Sequence, residues 1–110
     1  MPELYSVLQE QGRRRGDAPA IWHCRGAAGS TQTTFRALAA AAAKFASCFH
    51  RHAAEAPIVP MLLGKSADCV AAMMGANGAG KAFACLNPKL RWPQVNQILQ
   101  GLGQTIGLCD

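Results

Sequence analysis

The chain has 110 residues, a formal charge of +5, 50% hydrophobic residues and 15% charged ones. That length holds one domain and excludes a multidomain enzyme, and the apolar content with sparse charge excludes an intrinsically disordered segment. About a fifth of the residues are Ala and 11 are Gly, against two Trp, one Tyr and four Phe, so close helix packing is expected rather than an aromatic-rich core.

Residues 3–11 place Leu4, Val7, Leu8 and Gln11 on one side at helical spacing. Residues 12–16, with Arg13, Arg14 and Arg15 between two glycines, are expected to stop that helix. Asp17, Ala18 and Pro19 make a turn. Residues 20–24 and 30–33 read as two short strands around a loop, a small β-hairpin. Thr33 or Thr34 can cap the next helix, because a hydroxyl accepts a bond from a free first-turn N–H. That helix is predicted over about 35–52, with Leu38, Ala42, Phe45, Ala46 and Phe49 on one face.

Ala56-Pro57 breaks the chain, and residues 58–63 form an apolar run of strand length. Pro60 inside it cannot donate to a ladder, which predicts a sheet edge or a bulge there. Ser66 is a good helix cap with Asp68 near the positive helix end. Val70, Met73 and Met74 form the expected stripe of that helix, and Gly75, Gly78 and Gly80 close it. Residues 82–86 read as a buried strand ended by Asn87-Pro88. Pro93 suits the first position of a further helix, with Val95, Ile98, Leu99 and Leu102 as its stripe. Residues 105–109 read as a last strand. From residue 58 the order is β-α-β-α-β, with apolar strands and amphipathic helices. This predicts an α/β fold with parallel strands and helices over the sheet.

The charge comes from 11 Lys and Arg against six acids. Apart from Arg13 to Arg15 the basic residues are scattered, with no basic stripe interleaved with aromatics, so no nucleic-acid partner is expected. The five cysteines, at 24, 48, 69, 85 and 109, contain no CxxC, and His50 and His52 face differently on a helix, so no metal is expected. Cys69, Cys85 and Cys109 read as small buried hydrophobes, a usage that suits a reducing compartment. The longest apolar run, 37–43, is far short of the roughly 20 residues that span a bilayer. No targeting segment is read at the N-terminus, where the Arg cluster follows the apolar positions. A cytoplasmic protein without membrane insertion is the expectation.

Residues 75–81, GANGAGK, fit the first seven places of the phosphate loop GxxxxGK[ST]. Ala82 replaces the metal-binding hydroxyl. The segment also follows a helix and opens a strand, so the helix end it offers has the wrong sign for phosphate. It reads as a glycine-rich helix stop.

Residues 80–88, GKAFACLNP, resemble the "AGxxYxPLxP" segment of adenylate-forming (AMP-binding) enzymes, the superfamily of acyl-CoA synthetases, peptide-synthetase adenylation domains and luciferases. Residues 16–21 are similar to its "PDAPAI" opening and residues 34–38 to its "TYxEL" helix start. Residues 66–80 are similar to "SxEFVxAxLAxLKAG", and 91–99 with 106–110 to "RxPxxxLxYIL…xxxLxxD". The five pieces stand in the family's order across essentially the whole chain. Two departures are Glu55-Ala56-Pro57 in place of the usual Gly-Asp, and Pro60, which together imply a distorted first sheet edge.

The resemblance implies an N-terminal subdomain of the acyl-adenylating ligase fold, partial and spanning 1–110. Residues 1–57 would give its helix, hairpin and long helix, and 58–110 its β-α-β-α-β unit. It implies a reaction of carboxylate and ATP to acyl-AMP and pyrophosphate, then transfer to a thiol, with ATP and Mg as requirements of the full-length family. No residue of this chain matches the family's phosphate loop, ribose-binding aspartate, hinge or C-terminal lysine. No catalytic, cofactor-binding or metal-binding residue is therefore expected in it, no cofactor is expected to bind this chain alone, and the chain is expected to be inactive alone. His23, His50 and His52 lack a carboxylate orienter and read as surface or hairpin residues. Lys65 and Lys81 read as turn residues, and Lys89 and Arg91 as solvated loop charges. The expected partner is the remainder of a ligase or a complementary chain. Two other readings stay open. One is a non-catalytic partner of a separately encoded synthetase, pairing through a sheet edge at 105–109. The other is an unrelated doubly wound binding domain with a ligand at its strand C-termini.

Overall fold

The computed structural model describes residues 3–24, 26–64, 66–102 and 108–109. Its elements are α1 (Glu3–Arg14), β1 (Pro19–Cys24), a 3-10 turn (Gly26–Ala28), β2 (Ser30–Thr34), α2 (Phe35–His52), β3 (Ile58–Leu62), α3 (Ala67–Gly78), β4 (Ala82–Cys85), α4 (Trp92–Leu102) and β5 (Leu108–Cys109). β1 and β2 pair antiparallel, with the register running from Pro19 opposite Thr34 to Cys24 opposite Ser30. β3 pairs parallel with β4 on one side and β5 on the other, in the order β4-β3-β5. The expected hairpin and parallel α/β unit are both present; residues 105–107 of the expected last strand lie outside the described residues.

α2 forms where the alanine run has high helix propensity and a ready cap. Thr34 Oγ1 accepts from Ala37 N–H at 3.1 Å, and His50, Arg51 and His52 place basic residues at the negative end. Its inner face, Leu38, Ala39, Ala42 and Phe49, is buried. α3 begins at Ser66, whose Oγ accepts from Cys69 N–H at 3.3 Å, with Asp68 in the first turn.

α3 lies between two clusters of the core. Ala71 joins Leu8, Leu38, Ala39 and Ala42. Ala72 and Ala76 join Phe49, Val59 and Met61 from the sheet side. Phe45 packs against both clusters and stacks on Phe49 at 6.0 Å between ring centres. The buried face of α3 is thus Ala71, Ala72, Gly75 and Ala76, not the expected Val70, Met73 and Met74, which are half-buried at its flanks. A helix sandwiched on two sides needs small side chains at the tightest contacts, while Val70 and Met74 pack against the rim of the first cluster and Met73 against that of the second. Gly75 does not end the helix either. A Cβ there would lie 2.5 Å from Phe45 Cβ and 2.9 Å from both the Ala42 carbonyl oxygen and the Ala46 nitrogen.

α1 also differs from its sequence reading. It runs through Gly12 to Arg14, and Leu4 and Val7 are exposed while Leu8 is buried. The face meeting its neighbours is Tyr5, Leu8 and Gly12. The helix ends at Arg14, within the expected 12–16 stop, and Gly12 is a contact point in its last turn, where a Cβ would lie 2.9 Å from Ala39 Cβ.

Pro60 stands in the central strand with unbroken register opposite Ala84, so the expected edge or bulge is not there. The hydrogen-bond pattern explains its tolerance. Pro57 and Met61 carbonyls accept from Ala82 and Leu86 N–H on the β4 side, at 3.0 and 2.8 Å. Alternate residues of a strand face opposite neighbours, so the missing donor of Pro60 falls away from β4 and leaves the β3–β4 ladder intact. Both cysteines depart from the expected burial: Cys85 is exposed because β4 is an outer strand exposed at Ala82, Phe83 and Cys85, and Cys69 is half-buried in the first turn of α3. The Cys109 side chain lies outside the described residues. α4 buries Val95 alone among its described residues, leaving Trp92 and Ile98 exposed.

Two glycine substitutions therefore have opposite signs. Gly75→Ala is expected to destabilise the chain by about 1–3 kcal/mol through overpacking against α2. Gly101→Ala, in α4 where an added Cβ meets no packing partner within 4 Å among the described residues, is expected to stabilise it by roughly 0.5 kcal/mol through helix propensity. Urea denaturation followed by circular dichroism checks both.

Candidate functional site

The motif residues singled out in the sequence meet at the junctions between helices. The first-turn donors of α2 are taken up by the 16–21 segment. Phe35 N–H donates to the Ala18 carbonyl and Arg36 N–H to the Gly16 carbonyl, each at 3.0 Å. With the Thr34 cap, three successive free donors of the helix start have partners. The Arg36 guanidinium also pairs with the Asp17 carboxylate across the same junction, in an exposed setting. Gln9 Nε2 donates to the Ala39 carbonyl at 2.9 Å and ties α1 to α2.

The segment 75–81 that imitates a phosphate loop is engaged along its length. Gly75 touches the α2 backbone. Asn77 Oδ1 accepts from Tyr5 N–H at 2.9 Å, capping the start of α1 from another helix. A Cβ on Gly78 would run into the Tyr5 ring. Gly80 has φ +74°, the left-handed conformation that ends helices and that glycine adopts without a Cβ penalty. Its N–H donates to the Asn77 carbonyl at 3.0 Å, and Lys81 N–H donates to the Ala76 carbonyl at 2.9 Å, a complete Schellman closure. Lys81 Nζ then donates to the Ala54 and Ala56 carbonyls at 3.2 and 2.6 Å, holding the turn before β3. The donors that would cradle a phosphate are bonded to the protein itself, so these residues do not fit ATP.

The other candidates are dispersed. His23 is half-buried on β1, and His50 and His52 are exposed at the end of α2. Lys89 and Arg91 are exposed, as expected. The Lys89 N–H closes a turn on Asn87 Oδ1 at 2.9 Å, and the Arg91 N–H caps onto Gln94 Oε1 at 3.0 Å. Lys65 lies outside the described residues. Arg13 and Arg14 both pair with Glu10 at the C-terminal end of α1. Among the described residues, no three His, Cys, Asp or Glu side chains gather as a metal site would need. A wide groove of about 490 Å³ runs along α2, lined by Ala37, Ala41, Lys44, Phe45, Cys48 and Asp68. The sequence reading missed Asn77. Its only signal is an amide between glycines and alanines near a helix end, which points to a local bond without naming the partner 72 residues away.

Residues 8–109 match the family model described as AMP-binding enzyme. The chain belongs to the AMP-binding enzyme family. The same fold appears in solved structures. The nonribosomal peptide synthetase FmoA3, in its α-methyl-L-serine-AMP-bound form, is 24% identical with a TM-score of 0.82, over 97% of this chain and 12% of that one. The N-terminal subdomain of Klebsiella oxytoca NpsA, in complex with 3-hydroxybenzoyl-AMSN, is 16% identical with a TM-score of 0.78, over 100% and 26%. The inhibitor-bound N-terminal domain of FACL13 from Mycobacterium tuberculosis is 18% identical with a TM-score of 0.74, over 96% and 26%. A search of curated proteins gives no match. The chain thus spans 12% to 26% of these solved chains and corresponds to the N-terminal portion of the adenylate-forming fold. Membership of this ATP-dependent family sets aside the reading as an unrelated doubly wound binding domain. Among the described residues, no helix is long and apolar enough to cross a membrane.

The junction contacts separate by burial. Asn77→Ala, which strips Tyr5 N–H of its partner, is expected to lower stability by about 1–2 kcal/mol. Asp17→Asn is expected to change it by less than about 1 kcal/mol, since solvent screens the exposed pair with Arg36. Parallel urea titrations of the two variants check the ranking.

Proposed function

We propose that this chain is the opening subdomain of an ATP-dependent acyl- or aminoacyl-adenylating ligase, and that its residues support the active site rather than form it. Residues 1–57 supply helix, hairpin and long helix, and residues 58–110 supply the parallel β-α-β-α-β layer. On this reading the chain carries no catalytic, cofactor-binding or metal-binding residue. ATP and Mg are bound by the remainder of the ligase, the chain binds none of them alone, and the whole works in the cytoplasm.

The observation that carries the reading is the use made of the motif residues. Gly16, Ala18 and Thr34 complete a helix start, and Gly75, Asn77, Gly80 and Lys81 complete a helix end. Adenylation needs donors and cations aimed at developing charge on the α-phosphate. The donors here are already bonded within the chain. The exposed Phe83 on β4 adds support, because parallel sheets normally have helices or further chain over both faces.

The purified chain is expected to give background rates in carboxylate-dependent ATP–pyrophosphate exchange across amino, aryl and fatty acids. Robust exchange with any of them would overturn the inactivity. A second reading, a non-catalytic partner of a separately encoded synthetase, is favoured by the position of β5 at the edge of the sheet. A tag placed at the N-terminus in the native gene distinguishes the two. The first reading expects a polypeptide several times heavier than 11.6 kDa, and the second expects an 11.6 kDa product that co-elutes with another chain.

A further inference from the structure

We draw no further inference here: the strongest candidate, the exposed apolar surface of β4 and α4 at Phe83, Trp92 and Ile98, carries nothing because nothing in the structure shows what covers it.

Discussion

Gly75 lets the α3 backbone rest directly on α2, and the other layers take their positions from that contact. The carbonyl of Ala42 and the nitrogen of Ala46 occupy the space a side chain would need. With the two helices this close, Ala71 reaches the cluster under α1 while Ala72 and Ala76 reach the sheet. A wider spacing would open a gap on one side or the other, and a gap of methyl size in a close-packed core already costs stability. The alanine-rich composition is the consequence. Among the described residues the buried core sets a few larger side chains, Leu8, Leu38, Phe49, Val59 and Met61, against Ala39, Ala42, Ala71, Ala72 and Ala76, so close backbone approach adds to the cohesion of the bulky residues.

The second dependency is the disposal of helix-end polar groups. Each helix leaves free donors at its start and free acceptors at its end. Local caps such as Thr34, Ser66 and the closing turn of α3 satisfy many of them, and two helix starts are completed from outside the helix. α2 takes the carbonyls of Gly16 and Ala18, and α1 takes the amide of Asn77 from α3. These bonds link residues far apart in sequence, so they fix the relative placement of elements as well as their boundaries. The hairpin is located the same way, since its lead-in strand begins one residue after the carbonyl that Phe35 uses.

What was legible in the sequence follows from locality. The bounds of α2 could be read because its cap, its alanine run and its break at Pro57 are all local signals. The order of strands and helices after residue 58 could be read for the same reason. Burial in α1 and α3 could not. Periodicity finds the most apolar stripe, but Leu4 and Val7 are exposed, and glycines and alanines carry the contacts. A hydrophobicity pattern is blind to a face chosen for smallness. The place of Pro60 is non-local in the same way. A missing donor is a liability only toward a neighbour that would use it, and which neighbour that is depends on strand order, a non-local fact.

The segment 75–81 shows why a motif cannot be separated from the order of elements around it. After a strand, a glycine-rich turn leads into a helix, and successive N–H groups point outward with nothing to bond, which suits an anion. After a helix, the same turn meets carbonyls left over from the last turn. The N–H groups of Ala79, Gly80 and Lys81 all donate to such carbonyls, at 2.9 to 3.1 Å. The lysine follows suit. In place of a phosphate, its ammonium finds two more carbonyls, at Ala54 and Ala56, where the chain leaves α2 for β3. Glycine and lysine are recruited for the same properties in both settings, a permissive backbone and a long-reaching cation. The sign of the helix end decides whether they serve a ligand or the fold, and here they serve the fold.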